Sequence, residues 1–79
     1  MTMYEIVEKM KQNKDLKVAG SLFEYHYGKH KRDGDTLSFG ILVGMLSVLS
    51  SQGCITDVEA DVIDEKLWSE RNKAYKCTE

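Results

Sequence analysis

Residues 37–53, LSFGILVGMLSVLSSQG, decide the fold. No charged side chain lies between Asp35 and Asp57, and the first two-thirds of the stretch is almost wholly apolar. Three structures compete for it. A bilayer span needs about 20 apolar residues. The dense part, residues 37–49, falls short of that, and Ser50, Ser51, Gln52 and Gly53 would lie in lipid. A helix buried on every side within one chain needs cover on every side, which three short amphipathic neighbours barely supply. The third structure divides the helix between an internal core and a self-association interface. Gly40 and Gly44 share one face, and Ser47 and Ser51 continue the line. On this reading Leu37, Ile41, Met45, Val48 and Leu49 are expected to fill the core. We adopt it: Gly40, Gly44, Ser47 and Ser51 are the expected self-association surface of a homodimer.

Working outward, Asp35 or Thr36 is placed to cap this helix, and Gly53 to end it at the C′ position. Thr56 and Glu59 stand at capping-box spacing and restart the chain as a further helix to about Lys76. Val58, Val62, Ile63, Leu67 and Ala74 form its expected apolar stripe, with Trp68 and Tyr75 at the edge. Arg71, Lys73 and Lys76 collect toward its negative dipole end. The two helices read as an antiparallel hairpin with Ile55 plugging the turn. The pattern Leu46, Leu49, Gly53, Ile55, Thr56, Glu59 resembles the short C-terminal helical-hairpin module found at the ends of many bacterial and phage proteins. That resemblance implies an oligomerisation or interaction role rather than chemistry. A helix-turn-helix reading of the same turn fits poorly. The following helix opens with acids, where a recognition helix needs donors facing phosphates.

Toward the N-terminus, Thr2 and Glu5 form another capping-box match, and Met3, Ile6, Val7 and Met10 recur at helical spacing. This first helix is expected to stop near Asn13. Asp15 is the expected N-cap of a second helix over 16–31, with Leu16, Ala19, Gly20, Phe23 and Tyr27 on one face. The small residues Ala19, Gly20 and Ser21 would let another helix approach closely. Phe23, Tyr25 and Tyr27 also alternate with Glu24 and His26, and Asp33-Gly34 is a hairpin turn signal. An α+β fold with a small hairpin spanning 16–39 is therefore the alternative. The helix is preferred because residues 29–32 before the turn do not alternate. The expected fold is all-α: one small domain over 1–79, a compact bundle of about four helices ending in the helical hairpin.

Composition narrows the function. Seventy-nine residues bury a marginal core, which favours self-association. Two cysteines are too few for a secreted disulfide scaffold, and residues 1–12 are charged and amphipathic without a signal-peptide core. A cytoplasmic location is expected. A formal net charge of −2 argues against binding polyanions by bulk charge. The basic residues Lys29, His30, Lys31 and Arg32 sit beside Asp33 and Asp35, and read as a solvated helix end. His26 and His30 at i,i+4 suggest a metal only if Cys77 joins them. Cys54 and Cys77 stand at opposite ends of one helix, about 30 Å apart. Cys54 has no base beside it and reads as a small buried hydrophobe. No catalytic residue, cofactor site or metal site is assigned, and an enzyme is not expected. Asp57, Asp61, Asp64 and Glu65 share one helical face with Glu59 near it. These five are the candidate partner-binding surface, with Phe23, Tyr25 and Tyr27 as a second candidate contact. The expected function is a non-catalytic protein-interaction module: a small adaptor, inhibitor or regulator of a larger machine, acting as a homodimer. The alternatives are a nucleic-acid-binding regulator using 29–32, an acidic mimic that inhibits a nucleic-acid-processing enzyme, and a small membrane-associated protein. A protein partner is expected, not nucleic acid and not a membrane.

Overall fold

Both capping boxes close in the computed structural model, which describes the backbone of residues 1–77 and side chains up to Asn72. The Glu5 N–H donates to Thr2 Oγ1 at 3.2 Å, and the Thr2 N–H donates to Glu5 Oε1 at 3.3 Å. This starts α1, Met3–Gln12. The Glu59 N–H donates to Thr56 Oγ1 at 3.1 Å, and the Thr56 N–H returns to Glu59 Oε1 at 2.8 Å, starting α4, Asp57–Cys77. Each box satisfies two backbone donors that the first helical turn would leave unpaired. Between them run α2, Lys17–Asp33, and α3, Thr36–Ser51.

Residues 16–39 are helical, and no strand occurs among the described residues. Gly20, Phe23, Tyr27 and His30 share the buried side of α2 at helical spacing. Gly34 is left-handed at φ 62°, and its N–H donates to the His30 carbonyl at 2.8 Å. The Asp-Gly pair is thus a helix stop, not a hairpin turn. One boundary differs from expectation. Leu16, with no side-chain cap, takes the N-cap position instead of Asp15. The Asp15 N–H donates to Asn13 Oδ1 at 2.9 Å, so the polar side chains here build the turn out of α1.

Asp35 caps α3. It accepts from the Leu37 N–H at 3.1 Å and the Ser38 hydroxyl at 2.9 Å. The Ser38 bond first, with the backbone N–H behind it, holds the Asp35 carboxyl below its ordinary value. Beyond the end of α3, Gly53 turns left-handed at φ 74°. The Cys54 N–H then closes on the Leu49 carbonyl at 2.8 Å.

Sequential helices pack antiparallel, and α4 returns to α1, so the four form a closed ring. Met3, Ile6, Val7 and Met10 of α1 meet Phe23 and Tyr27 of α2, Phe39, Leu42, Leu46 and Leu49 of α3, and Ile63 and Leu67 of α4. Ile55 plugs the α3–α4 turn, at 5% exposure. The inner face of α3 differs from the expected one. Of Leu37, Ile41, Met45, Val48 and Leu49, only Leu49 is buried; Leu37 is 71% and Val48 60% exposed. Phe39 sets the register instead, because its ring fits between His30, Trp68 and Arg71. Leu42, Leu46 and Leu49 then follow on the same side. On α4, Val58 is 68% exposed rather than in the apolar stripe. Glu59 takes the inward place beside it because the capping box holds its carboxylate there. Ala74, Tyr75 and the basic residues Lys73 and Lys76 lie outside the described side chains.

No helix among the described residues is long and apolar enough to cross a membrane.

Candidate protein-interaction surfaces

The outer side of α3 carries every residue expected to mediate self-association. Gly40, Gly44, Ser47 and Ser51 are all exposed, on the side opposite Leu42 and Leu46. Leu37 and Val48 stand among them, with Ile41 and Met45 half-buried at the edge. Ser51 turns its hydroxyl back to donate to the Val48 carbonyl at 3.3 Å, which reduces the polarity it shows outward. Beside Gly44, an open groove of about 290 Å³ runs between α2 and α3. Ala19, Gly44, Met45, Val48 and Leu49 line it, none of them charged. Val18 and Leu22, which flank Ala19 along α2, are 73% and 47% exposed.

The helix-interior glycines divide into two kinds. A Cβ on Gly20 would come within 3.0–3.1 Å of Lys11 Cγ, the Lys11 backbone nitrogen and Met10 Cβ. Gly20 is therefore what lets α1 and α2 approach. A Cβ on Gly28, Gly40 or Gly44 would meet nothing within 4 Å, and none of the three has positive φ. Glycine inside a helix is less favourable than alanine by about 1 kcal/mol. No packing contact among the described residues offsets that at Gly28, Gly40 or Gly44.

The acidic side of α4 is the second surface. Asp57, Asp61, Asp64 and Glu65 are exposed, and no ion pair engages them among the described residues. Trp68, 46% exposed, continues the line at i+11 from Asp57 and sets its ring edge-on to Phe39 at 4.9 Å. Glu59 sits apart from this group. It is 4% exposed, and its second oxygen takes Lys9 Nζ at 3.2 Å. The Thr56 N–H foremost, then Lys9, outweigh burial and hold its carboxyl below the ordinary value. Its charge joins α1 to α4 and is spent inside the fold. Glu70 is held likewise. Burial pushes its carboxyl up, but the Tyr27 hydroxyl, donating at 2.7 and 3.0 Å, together with Lys31 and Lys66 brings it below the ordinary value. Burial and that same carboxylate push the Tyr27 phenol well above its usual range.

The other sequence candidates disperse. Phe23 and Tyr27 are core residues, leaving Tyr25 exposed. The basic run 29–32 does not form one surface: His30 is buried against Phe39, Lys31 pairs with Glu70 at 3.7 Å, and Arg32 points outward. The Nδ1 atoms of His26 and His30 are both buried without a hydrogen-bond partner. No group of three or more His, Cys, Asp or Glu among the described residues could hold a metal, and Cys77 lies outside the described side chains. Cys54 is exposed rather than buried, because Ile55 takes the inward place in the turn. One feature has no counterpart in the sequence pattern. The Lys9–Glu59 pair joins residues fifty apart, and no local signal announces it. Trp68, expected at the edge of the apolar stripe, stands there half-exposed.

No protein-family model matches the chain, and the searches of curated proteins and of solved structures found no match to it. The likeness to the short helical-hairpin module therefore rests on the turn residues themselves, whose capping bonds account for the pattern.

Proposed function

We propose that the chain is a non-catalytic protein-interaction module, a small adaptor, inhibitor or regulator of a larger protein machine, working as a homodimer. The observation that carries this reading is the outer side of α3. An uncharged helical face with exposed Leu37 and Val48, and two glycines that internal packing does not require, fits a surface covered by another helix. Self-association supplies the burial that so small a chain lacks. Asp57, Asp61, Asp64 and Glu65, without ion pairs among the described residues, then contact a basic surface on the partner, with Trp68 as a neighbouring anchor. Because four exposed carboxylates line one face, a basic groove that normally holds nucleic acid is one such surface. The reading involves no cofactor, and the free, exposed Cys54 suits a reducing cytoplasm.

Charge reversal tests the acidic face. Asp61→Lys with Asp64→Lys is expected to abolish capture of the partner from host lysate while leaving the melting temperature within a few degrees. Unchanged capture would contradict the assignment. Duplex DNA titrated at low salt tests the competing nucleic-acid role, and the proposal expects no salt-dependent binding.

A further inference from the structure

We propose that the cleft between α1 and α2 receives one arginine side chain of a partner protein, held by Tyr4, Tyr27, Glu8 and Glu24. It rests on the protein-interaction reading only in drawing the arginine from a protein, and it uses neither the outer side of α3 nor the acidic side of α4. The cleft holds about 160 Å³. A drug-sized ligand needs ~300 Å³ or more, so the smaller space suits a single side chain. Its floor is apolar, made by the core residues Met3, Val7 and Phe23. Tyr4 and Tyr27 line it with ring centroids 6.2 Å apart and planes at 80°. One helical turn along each helix stand Glu8 and Glu24, both more than half-exposed. They are the charged residues of the lining, and both are acids.

The charges around the cleft leave room for a further cation. Lys11 Nζ lies 3.1 and 3.4 Å from the Glu24 oxygens and 3.7 Å from Glu8, and no other ion pair engages either acid among the described residues. The Glu24 hydrogen bond foremost, then the charges of both acids, hold the Lys11 ammonium above its ordinary value. One ammonium against two carboxylates leaves the lining negative. The rings are already cation partners: Lys66 Nζ lies 5.5 Å from the Tyr4 centroid and Lys31 Nζ 5.8 Å from that of Tyr27. Both lysines pair with Glu70, at 3.4 and 3.7 Å, and neither lines the cleft. Arginine fits this combination better than lysine. Its planar head stacks on a ring while its edge donates to a carboxylate, whereas an ammonium is a compact, strongly hydrated charge. Its methylene stem covers the floor at Val7 and Phe23. An apolar side chain would leave both acids unanswered, and an anion would be repelled by them.

Titration of the isotope-labelled chain with capped Gly-Arg-Gly peptide, read by amide chemical shifts, tests the site. Saturable shifts are expected at Tyr4, Glu8 and Glu24, with a Kd on the order of millimolar for so small a probe. The citrulline counterpart, which keeps the shape without the charge, is expected to bind about tenfold more weakly. Glu8→Gln and Tyr4→Leu should each weaken the arginine peptide by about three- to tenfold. Both positions are exposed, and a melting temperature within a few degrees of the parent shows that the fold is kept. Asp61→Lys with Asp64→Lys is expected to leave the peptide affinity unchanged, so failure of the acidic-face reading and failure of this one are told apart. Citrulline or lysine peptides that bind as well as arginine would overturn the proposal. So would shifts that never saturate, or that fall on Asp57–Glu65 instead of the cleft.

Discussion

Gly20 and Gly44 occupy the same kind of helical backbone in opposite surroundings. At Gly20, the backbone of Lys11 and the Cβ of Met10 lie where a side chain would begin, so α1 and α2 touch because the side chain is missing. At Gly44 the same absence leaves open space beside an uncharged groove. Each glycine weakens its helix by about 1 kcal/mol relative to alanine. One loss is offset within the chain by close packing. The other meets no such contact among the described residues, so Gly44 serves no packing role within the described chain. The inner side of α3 folds the chain; the outer side is the face proposed for self-association.

The comparison breaks most visibly on the inner side. Leu42 is fully buried, and Leu42→Ala is expected to cost about 3 kcal/mol in urea unfolding at fixed protein concentration. Gly20→Val comes next. Its Cβ and both methyl groups must enter space held partly by backbone, for a loss of about 2 kcal/mol. A cost under half of that would show that the α1–α2 contact does not depend on the glycine. Glu59→Gln is expected to cost about 1 kcal/mol, because it weakens a cap and the buried end of the Lys9 bridge.

That variant also sharpens the pH dependence. Asp35, Glu59 and Glu70 all have lowered values in the folded chain. Each contributes stability that is present above its ordinary value, 3.8 for Asp35 and 4.5 for the glutamates. That contribution is lost as pH falls through the lowered value. The melting temperature should therefore drop as pH falls below 4.5, and drop less steeply in Glu59→Gln. Gly44→Ala has opposite effects at two levels. Helix propensity is expected to raise the stability of the single chain by up to ~1 kcal/mol, while the proposed self-association, read by sedimentation, is expected to weaken. His30→Leu is expected to be the mildest change, within about 1 kcal/mol, since the buried Nδ1 it removes has no partner to lose.

Local chemistry made much of this fold legible. Thr2 with Glu5, Thr56 with Glu59, and the two left-handed glycines Gly34 and Gly53 lie within a few residues of the bonds they make. The helix boundaries could therefore be read from spacing, apart from the Asp15 cap. The inner face of α3 was not legible, because an apolar helix has no polar side to mark what faces out. Leu37 and Leu42 look alike until Phe39 finds its place between His30 and Trp68. Long-range pairing was equally hidden: Lys9 with Glu59 and Tyr27 with Glu70 are set by how the helices close into a ring. For the candidate surfaces, the small-residue line was readable and proves to be exposed. The acidic group was readable except for Glu59, whose capping role draws it inward.

The central claim is that the outer side of α3 joins two copies. Sedimentation equilibrium of the parent chain and of Gly44→Leu at micromolar concentration tests it most directly. The parent should sediment at twice the 9.0 kDa chain mass, and Gly44→Leu at the single-chain mass with its helical content intact. A parent chain at the single-chain mass, or a Gly44→Leu variant that dimerises as the parent does, would contradict the account.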